Sequence, residues 1–94
     1  MAKYEIAYAT TYKKSIKRYD IATVQKVEHI IERLANDEIL EPRYKDHQLK
    51  GDMRYYRECH IKPDLLLIYR KINESNILIL RAINVGSHSE VFKK

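Results

Sequence analysis

The sequence predicts a small α+β domain in which an antiparallel sheet packs against two N-terminal helices. Three observations support this: the chain has only 94 residues, hydrophobic residues make up 45% of it, and its apolar pattern changes from helical to strand spacing halfway along. A chain of this length has room for one hydrophobic core, and its apolar content is too high for a disordered segment. We therefore expect residues 1–94 to form a single domain with the order β-α-α-β-β-β.

The N-terminal half is interpreted as one strand followed by two helices. Residues 4–8 alternate between polar and apolar side chains, as half-buried strands do. The first helix is expected from about Thr10, and Asp20 could either end it or cap the second helix, which ends near Asn36. Apolar residues recur at helical spacing at Tyr12, Ile16 and Tyr19, and then at Ile21, Val24, Val27, Ile31 and Leu34. This pattern predicts an antiparallel helical pair on one face of the sheet.

The C-terminal half is interpreted as a long loop followed by three strands. Residues 37–52 contain Pro42, Gly51 and many charged side chains, and connections of this length are often functional. Strands are expected at residues 53–61, 64–71 and 77–83. Turns are expected at Lys62-Pro63 and at residues 73–76. Because both links are short, neighbouring strands should be antiparallel.

The composition narrows the partners and the compartment. The formal net charge of +5 favours a polyanion or an acidic protein partner, although a basic surface that only maintains solubility fits the charge equally well. The single cysteine, Cys59, excludes an internal disulfide and is too few for a cysteine zinc site. No apolar run reaches membrane-spanning length and the N-terminus lacks an apolar leader, so we expect a cytoplasmic protein with no membrane partner.

Three histidines in the C-terminal half could perform acid–base chemistry: His47 in the loop, His60 at a strand end and His88 after the last strand. Cleaving RNA without a metal requires a base for the 2′-hydroxyl proton, an acid for the departing 5′-oxygen and a cation for the phosphoryl charge. Asp64 could assist. Each has a non-catalytic alternative. His47 could be a surface histidine, His60 a strand-end residue, His88 a tail residue and Asp64 a turn-forming aspartate. His29 lies off the apolar stripe and is expected to be solvated.

Ligand-type residues are scattered among cations, and no helical HxxxH or HExxH pair occurs, so we expect neither a metal site nor a cofactor. Basic and aromatic residues cluster around the long loop and the following strand, as in proteins that hold phosphates and stack on bases. Most of the tyrosines are expected to pack the sheet instead. Phe92 is either a core residue or a stacking platform. The residues expected to bind RNA are Lys45, Lys50, Arg54, Arg57 and Phe92.

Three ordered motifs resemble the YafQ family of the RelE/ParE superfamily, which are toxins of bacterial type II toxin–antitoxin systems. They are YKDHxLKG at residues 44–51, YRECHIxPDxLLIY at residues 56–69 and GSHSExF at residues 86–92. The resemblance implies a RelE-like fold and a ribosome-dependent mRNA endonuclease that cuts the codon in the ribosomal A site. It also implies inhibition by a cognate acidic, DinJ-like antitoxin, with the pair repressing its own operon.

The resemblance implies catalytic roles for His47, His60, Asp64 and His88, and it aligns Phe92 with the aromatic residue near the family's C-terminus. We expect His88 to perform the proton transfers with help from His60 and Asp64. A strict two-residue turn at Lys62-Pro63 would put His60 and Asp64 on opposite faces, so a shared site requires an irregular turn.

The chain departs from the family at the arginine that usually lies two residues before the glycine of the third motif. Asn84 occupies that position here, and Arg81 lies three residues earlier. Two strand residues three apart face opposite sides unless a bulge intervenes. We assign the catalytic cation to Arg81, with Arg57 or Lys50 as the alternatives.

Two other functions remain open from the sequence. A ParE-like toxin shares the fold but inhibits DNA gyrase, which does not require the three histidines. A toxin relative that has lost catalysis would only bind RNA or its antitoxin, and the displaced arginine is compatible with that interpretation.

Overall fold

The computed structural model describes residues 2–92. The long connection between the second helix and the C-terminal strands contains two 3₁₀ turns, Pro42–Tyr44 and Gly51–Met53. No helix among the described residues is long and apolar enough to cross a membrane. The strands are β1 (Glu5–Tyr8), β2 (His47–Gln48), β3 (Arg57–Lys62), β4 (Leu65–Glu74) and β5 (Ile77–Gly86), and the helices are α1 (Thr10–Ile16), α2 (Ile21–Ala35) and α3 (His88–Val91). The predicted order is thus present, with the short β2 and α3 as additions.

The five strands form one mixed sheet in the order β1-β5-β4-β3-β2. The central pairs β3–β4 and β4–β5 are antiparallel, as the short links between them predict. The prediction of a wholly antiparallel sheet is wrong at one edge, where β1 lies parallel to β5. The physical reason is that β1 connects to the rest of the sheet through α1 and α2, so no short turn determines its direction.

Helices α1 and α2 cover one face of the sheet, as predicted, but each packs mainly on the sheet rather than on the other. Asp20 caps α2 by accepting a 2.9 Å hydrogen bond from the Thr23 backbone N–H. The predicted apolar stripe is wrong at its start, because Ile21 is 77% exposed and Thr23 is buried. The buried helical residues are Tyr12, Thr23, Val27, Ile30, Ile31, Leu34 and Ala35. The core is completed by alternate residues of β3, β4 and β5, including Cys59, Leu67, Tyr69, Leu80 and Ala82.

The turns and bulges set which residues share a face. Ser75 and Asn76 both have positive φ, of 51° and 67°, which suits a tight β4–β5 hairpin. The β3–β4 turn lies one residue later than predicted, because Lys62 pairs with Leu65. Two register shifts interrupt the ladders: Ile61 is the extra residue in β3, and Ile83 is the extra residue in β5.

Candidate active site

Three of the four histidines converge on one buried carboxylate. Glu58 is only 4% exposed. Its Oε1 lies 3.2 Å from His60 Nε2 and 3.7 Å from His88 Nε2, and its Oε2 lies 3.7 Å from His47 Nε2. The structure therefore brings together three of the residues that the sequence selected, around a glutamate that it did not select.

The strand register explains this convergence. Residues paired across a sheet share a face, and so do residues two apart along a strand. Glu58 pairs with His47 on one side and Ile68 on the other, while His60 pairs with Leu66. All of these side chains lie on the sheet face opposite to α1 and α2. Leu66 and Ile68 are both buried, so they form an apolar floor beside the carboxylate that limits its access to water.

His47 has a defined tautomer. Its Nδ1 lies 2.6 Å from the Lys45 carbonyl oxygen, which can only accept a hydrogen bond. Nδ1 therefore donates this hydrogen bond, and Nε2 is the ring nitrogen that faces Glu58. The Lys45 backbone is left-handed, with φ of 48°, which turns this carbonyl back toward the ring.

His88 is held by the first turn of α3. The Ser87 side chain accepts from the Glu90 backbone N–H, and the Glu90 side chain accepts from the Ser87 backbone N–H, which together form a capping box. The His88 ring lies 5.8 Å from the His60 ring and 5.8 Å from the Phe92 ring, measured between centroids. Phe92 is half-buried and packs beside His88, so the predicted C-terminal aromatic lies at the site.

His47 and His88 differ from His60 in access to solvent. Their side chains are 51% and 59% exposed, whereas that of His60 is 16% exposed. A phosphodiester approaching this face would therefore meet His47 and His88 first, with His60 and Glu58 behind them. Two proton-transfer groups on either side of a buried carboxylate could supply a base and an acid.

Asp64 is not part of this cluster. No histidine nitrogen in residues 2–92 lies within 4.0 Å of its carboxylate. It occupies the two-residue β3–β4 turn and is exposed. Its charge acts on Tyr19, on the helical side, where burial first and then Glu90 and Asp64 raise the pKa of that tyrosine. A catalytic role for Asp64 stays a prediction.

The predicted cation, Arg81, lies on the face that carries Glu58. Arg81 pairs with Arg70, which is two residues from Ile68 along β4, and the bulge at Ile83 places Asn84 opposite Ile68. Arg81 is exposed and makes no ion pair among residues 2–92. Asn84 is engaged elsewhere, because its Oδ1 accepts from the Ser15 hydroxyl at 2.7 Å and from the Val85 N–H at 2.9 Å.

The residues predicted to bind RNA fall into two groups. Lys45 and Lys50 are exposed beside the site, and exposed Arg54 stacks on Tyr55 with its guanidinium carbon 4.6 Å from the ring centroid. Arg57 is different, because it belongs to the face opposite to Glu58 and its Nε donates a 3.1 Å hydrogen bond to the Tyr69 hydroxyl. Its availability to a phosphate is therefore lower than that of the other three cations.

A buried network anchors the loop that carries His47. The Tyr69 hydroxyl donates to Asp46 Oδ1 at 2.6 Å, and Arg57 lies 3.5 Å from Asp46 Oδ2. Burial, followed by the hydrogen bond to Asp46, raises the pKa of Tyr69, so its hydroxyl remains protonated at neutral pH. Asp46 and Tyr69 were missed as supporting residues, since nothing in the sequence pairs them.

Glu58 was missed as well, but the sequence carries a signal for it. Glu58 and His60 are two apart in a strand, so they must share a face, and the alternate residues Cys59 and Ile61 are apolar. A carboxylate and a histidine on the same face of a strand form a candidate pair. The burial of Glu58 could not be deduced in this way.

The fold and this side-chain cluster define a RelE-like endoribonuclease toxin. Solved structures with the same fold include YafQ from Escherichia coli BL21(DE3), at 28% identity and a TM-score of 0.78, covering 95% of this chain and 98% of that one. A toxin described as YoeB/ParE from Agrobacterium tumefaciens, at 23% identity and a TM-score of 0.74, supports the fold alone; it covers 89% of this chain and 98% of that one. The family model described as "Bacterial toxin of type II toxin-antitoxin system, YafQ" matches residues 4–93. The chain therefore belongs to the YafQ toxin family.

Two further relatives are informative. The mRNA interferase toxin YafQ of Escherichia coli K12 is 30% identical, and the match covers 98% of this chain and 99% of that protein. A metal-bound toxin from Helicobacter pylori is 38% identical with a TM-score of 0.76, covering 98% of this chain and all of that chain. Because the curated relatives are mRNA interferases, the prediction of an endoribonuclease is confirmed.

Proposed function

We propose that this chain is a ribosome-dependent mRNA endonuclease that blocks translation and that an acidic antitoxin inhibits. The observation that carries the proposal is the convergence of His47, His60 and His88 on buried Glu58, within 3.2 to 3.7 Å. The family relationship supports the substrate, because a relative spanning nearly the whole chain is an mRNA interferase. Dependence on the ribosome is the further step, and the match to the YafQ family supports it.

The reaction uses the two exposed histidines, His47 and His88, with His60 and the buried Glu58 behind them. One of His47 and His88 accepts the proton of the 2′-hydroxyl as its oxygen attacks the adjacent phosphorus, and the other protonates the departing 5′-oxygen. The products are a 2′,3′-cyclic phosphate and a free 5′-hydroxyl, so protons and bonds balance. Glu58 stabilises whichever imidazole is protonated, and Arg81 neutralises charge on the phosphoryl oxygens.

No metal step is included in this mechanism. The Helicobacter pylori relative was solved with bound metal, but no group of three or more His, Cys, Asp or Glu side chains in residues 2–92 converges as metal ligands do. Arg81, Lys45 and Lys50 supply positive charge on or beside the same face. Metal independence remains a prediction.

An antitoxin partner is proposed from the family and from charge. The structure of the Escherichia coli DinJ–YafQ complex contains a relative that is 29% identical with a TM-score of 0.77, covering 95% of this chain and 98% of that one. This chain has a formal charge of +5, so an acidic inhibitor could cover its cations and compete with mRNA for them.

The experiment compares wild type with His88→Ala and Glu58→Gln during cell-free translation of a defined mRNA, with and without ribosomes. Cuts that require ribosomes and are lost in both variants would support the proposal. An intact message with wild type, while translation continues, would contradict it. In that case, inhibition of gyrase supercoiling would test the ParE-like alternative, and retained ribosome binding would indicate a catalytically inactive relative.

A further inference from the structure

A second concave surface lies beside the candidate active site. It is a cleft of about 960 Å³ between α2, the 3₁₀ turn Pro42–Tyr44 and the end of β3. This volume is at the upper end of the roughly 300 to 1,000 Å³ that is typical of ligand clefts. The residues that line it include Lys26, His29, Arg43, Lys45, His60 and Lys62.

The cleft has cationic walls and an apolar floor. Lys26, Arg43 and Lys45 are exposed along its walls, and no Asp or Glu is among its lining residues in the described part of the chain. Lys62 is partly engaged, because its ammonium donates to the Thr23 hydroxyl at 3.1 Å. The floor is formed by buried Ile30 and Ile61 together with Pro63 and Ala22. Cations beside an apolar surface suit a ligand that carries both phosphates and flat bases.

His60 connects the cleft to the active site. It is one of the residues that line the cleft, and its Nε2 lies 3.2 Å from Glu58 Oε1. Because His60 belongs to both the cluster and the cleft lining, an RNA strand whose phosphodiester lies over His47 and His88 can continue past His60 into the cleft. Tyr44 does not offer a free face there, because Arg43 and Arg33 lie 4.9 and 6.0 Å from its ring centroid.

We propose that this cleft binds single-stranded RNA flanking the cleaved phosphodiester, with Lys26, Arg43 and Lys45 on the phosphates and the apolar floor under a base. The inference rests on the proposed function and extends it from the chemistry to the path of the substrate. Continuity through His60 favours RNA over an acidic protein segment, since such a segment would need no connection to the proton-transfer groups.

The test measures RNA binding without cleavage, using His88→Ala as the parent and a labelled single-stranded RNA of twelve nucleotides. Lys26→Gln with Arg43→Gln removes two cations from the cleft. Lys13→Gln with Lys17→Gln removes two exposed cations, one in α1 and one directly after it, both outside the cleft lining, as the matched control. Affinity is measured by fluorescence anisotropy over a range of salt concentrations.

The cleft variant should bind about tenfold more weakly near 0.1 M salt. The slope of log affinity against log salt should fall by about 1.4, because each lost contact to single-stranded phosphate contributes roughly 0.7. The control should retain the parent's affinity and slope. Equal effects in the two variants would overturn the proposal, because they would indicate net charge rather than a site.

Two other results would also overturn it. One is a parent that fails to bind the RNA even at low salt, since three clustered cations should hold a phosphate strand. The other is unchanged RNA binding with lost affinity for a twelve-residue polyglutamate, which would assign the cleft to an acidic protein. Wild-type cleavage of a translated mRNA could persist in either case, so these failures are distinct from failure of the proposed function.

Discussion

The Tyr69 hydroxyl donates a 2.6 Å hydrogen bond to the carboxylate of Asp46, the residue immediately before His47. Tyr69 is 1% exposed and lies on the helical face, whereas His47 reaches Glu58 on the opposite face. The bond therefore ties an otherwise exposed loop to the core. The backbone of His47 pairs with Glu58 in the β2–β3 ladder, and its Nδ1 contacts the Lys45 carbonyl, so the bond between Tyr69 and Asp46 adds a constraint from the core side.

Removing the Tyr69 hydroxyl should reduce both stability and catalysis. Tyr69→Phe leaves Asp46 and Arg57 without their buried partner, and we expect a loss of about 2 kcal/mol in the free energy of unfolding. The cleavage rate at saturating substrate should fall more than the Michaelis constant changes. The reason is that His47 loses its orientation, whereas the surface keeps its RNA-binding residues. Tyr55→Phe is the matched control, because Tyr55 is 59% exposed. An unchanged cleavage rate in a folded Tyr69→Phe variant would contradict this positioning role.

Replacing Glu58 by Gln should leave the fold intact and lower cleavage about 100-fold or more, because acid–base catalysis contributes about 10² to 10⁴ in rate. Single-turnover cleavage at neutral pH measures the effect. Glu74→Gln, exposed at the end of β4, is the control. A folded Glu58→Gln variant that cleaves at the wild-type rate would exclude the proposed role of Glu58.

Arg81→Gln should lower the cleavage rate about 100-fold, the usual effect of losing one group that stabilises an oxyanion. Its stability should change little, because Arg81 is exposed and makes no ion pair within residues 2–92. Asn84→Ala should show the reverse, because it breaks the 2.7 Å hydrogen bond from Ser15 to Asn84. We expect it to lower the free energy of unfolding by about 1 kcal/mol and to retain most of the activity. Thermal melts and cleavage rates on both variants separate the two roles. Lost activity with Asn84→Ala alone would reassign the catalytic position.

Much of the fold could be predicted because periodicity and short links report on local geometry. Spacing alone located α1, α2 and the central strands, and the links at Pro63 and Ser75 dictated antiparallel neighbours. The direction of β1 could not be predicted, because two helices separate it from its partner β5. The start of the α2 stripe was misplaced because Ile21 is hydrophobic but is the first residue of the helix, where its side chain is 77% exposed.

The parts of the site that residue chemistry identifies could be predicted. The parts that depend on strand register, which determines which side chains lie together, could not. His47, His60 and His88 could be selected because imidazole suits proton transfer. Their convergence on Glu58 depends on the pairing of β2 with β3. A strand of two residues is too short to be recognised in the sequence, so this pairing could not be predicted. Similarly, Arg81 and Asn84 pair with residues two apart on β4, Arg70 and Ile68, only because Ile83 is bulged.

Removal of transition metals should leave cleavage unchanged. The proposed mechanism assigns its proton transfers and charge stabilisation to His47, His88, Glu58 and Arg81, so no step depends on a bound ion. The measurement treats the purified toxin with a chelator selective for transition metals and then assays it on ribosomes in their usual Mg²⁺. A loss of activity that added copper or zinc restores would show that metal independence is wrong. Unchanged activity across the treatment would support it.

Asp37 should couple stability to acid pH. It accepts from Lys71 at 2.8 Å and from Lys3 at 2.9 Å, and these hydrogen bonds lower its pKa to about 2, with the Lys71 bond the larger cause. A depressed pKa in the folded protein means that this stabilisation is complete above the ordinary value of 3.8 and is lost as pH falls toward 2. The contact joins the segment before β1 to β4, so its loss should loosen the parallel edge of the sheet first.

We therefore expect Asp37→Asn to be less stable than wild type at pH 6, and the difference should shrink as pH falls from about 4 to 2. Asn is suited to the left-handed φ of 62° at this position, so the backbone should not be strained. Urea unfolding at several pH values measures the effect. Asp52→Asn is the control, because Asp52 makes no side-chain hydrogen bond or ion pair with any residue from 2 to 92. A constant difference between wild type and Asp37→Asn across this range would show that the two lysines do not stabilise the Asp37 carboxylate.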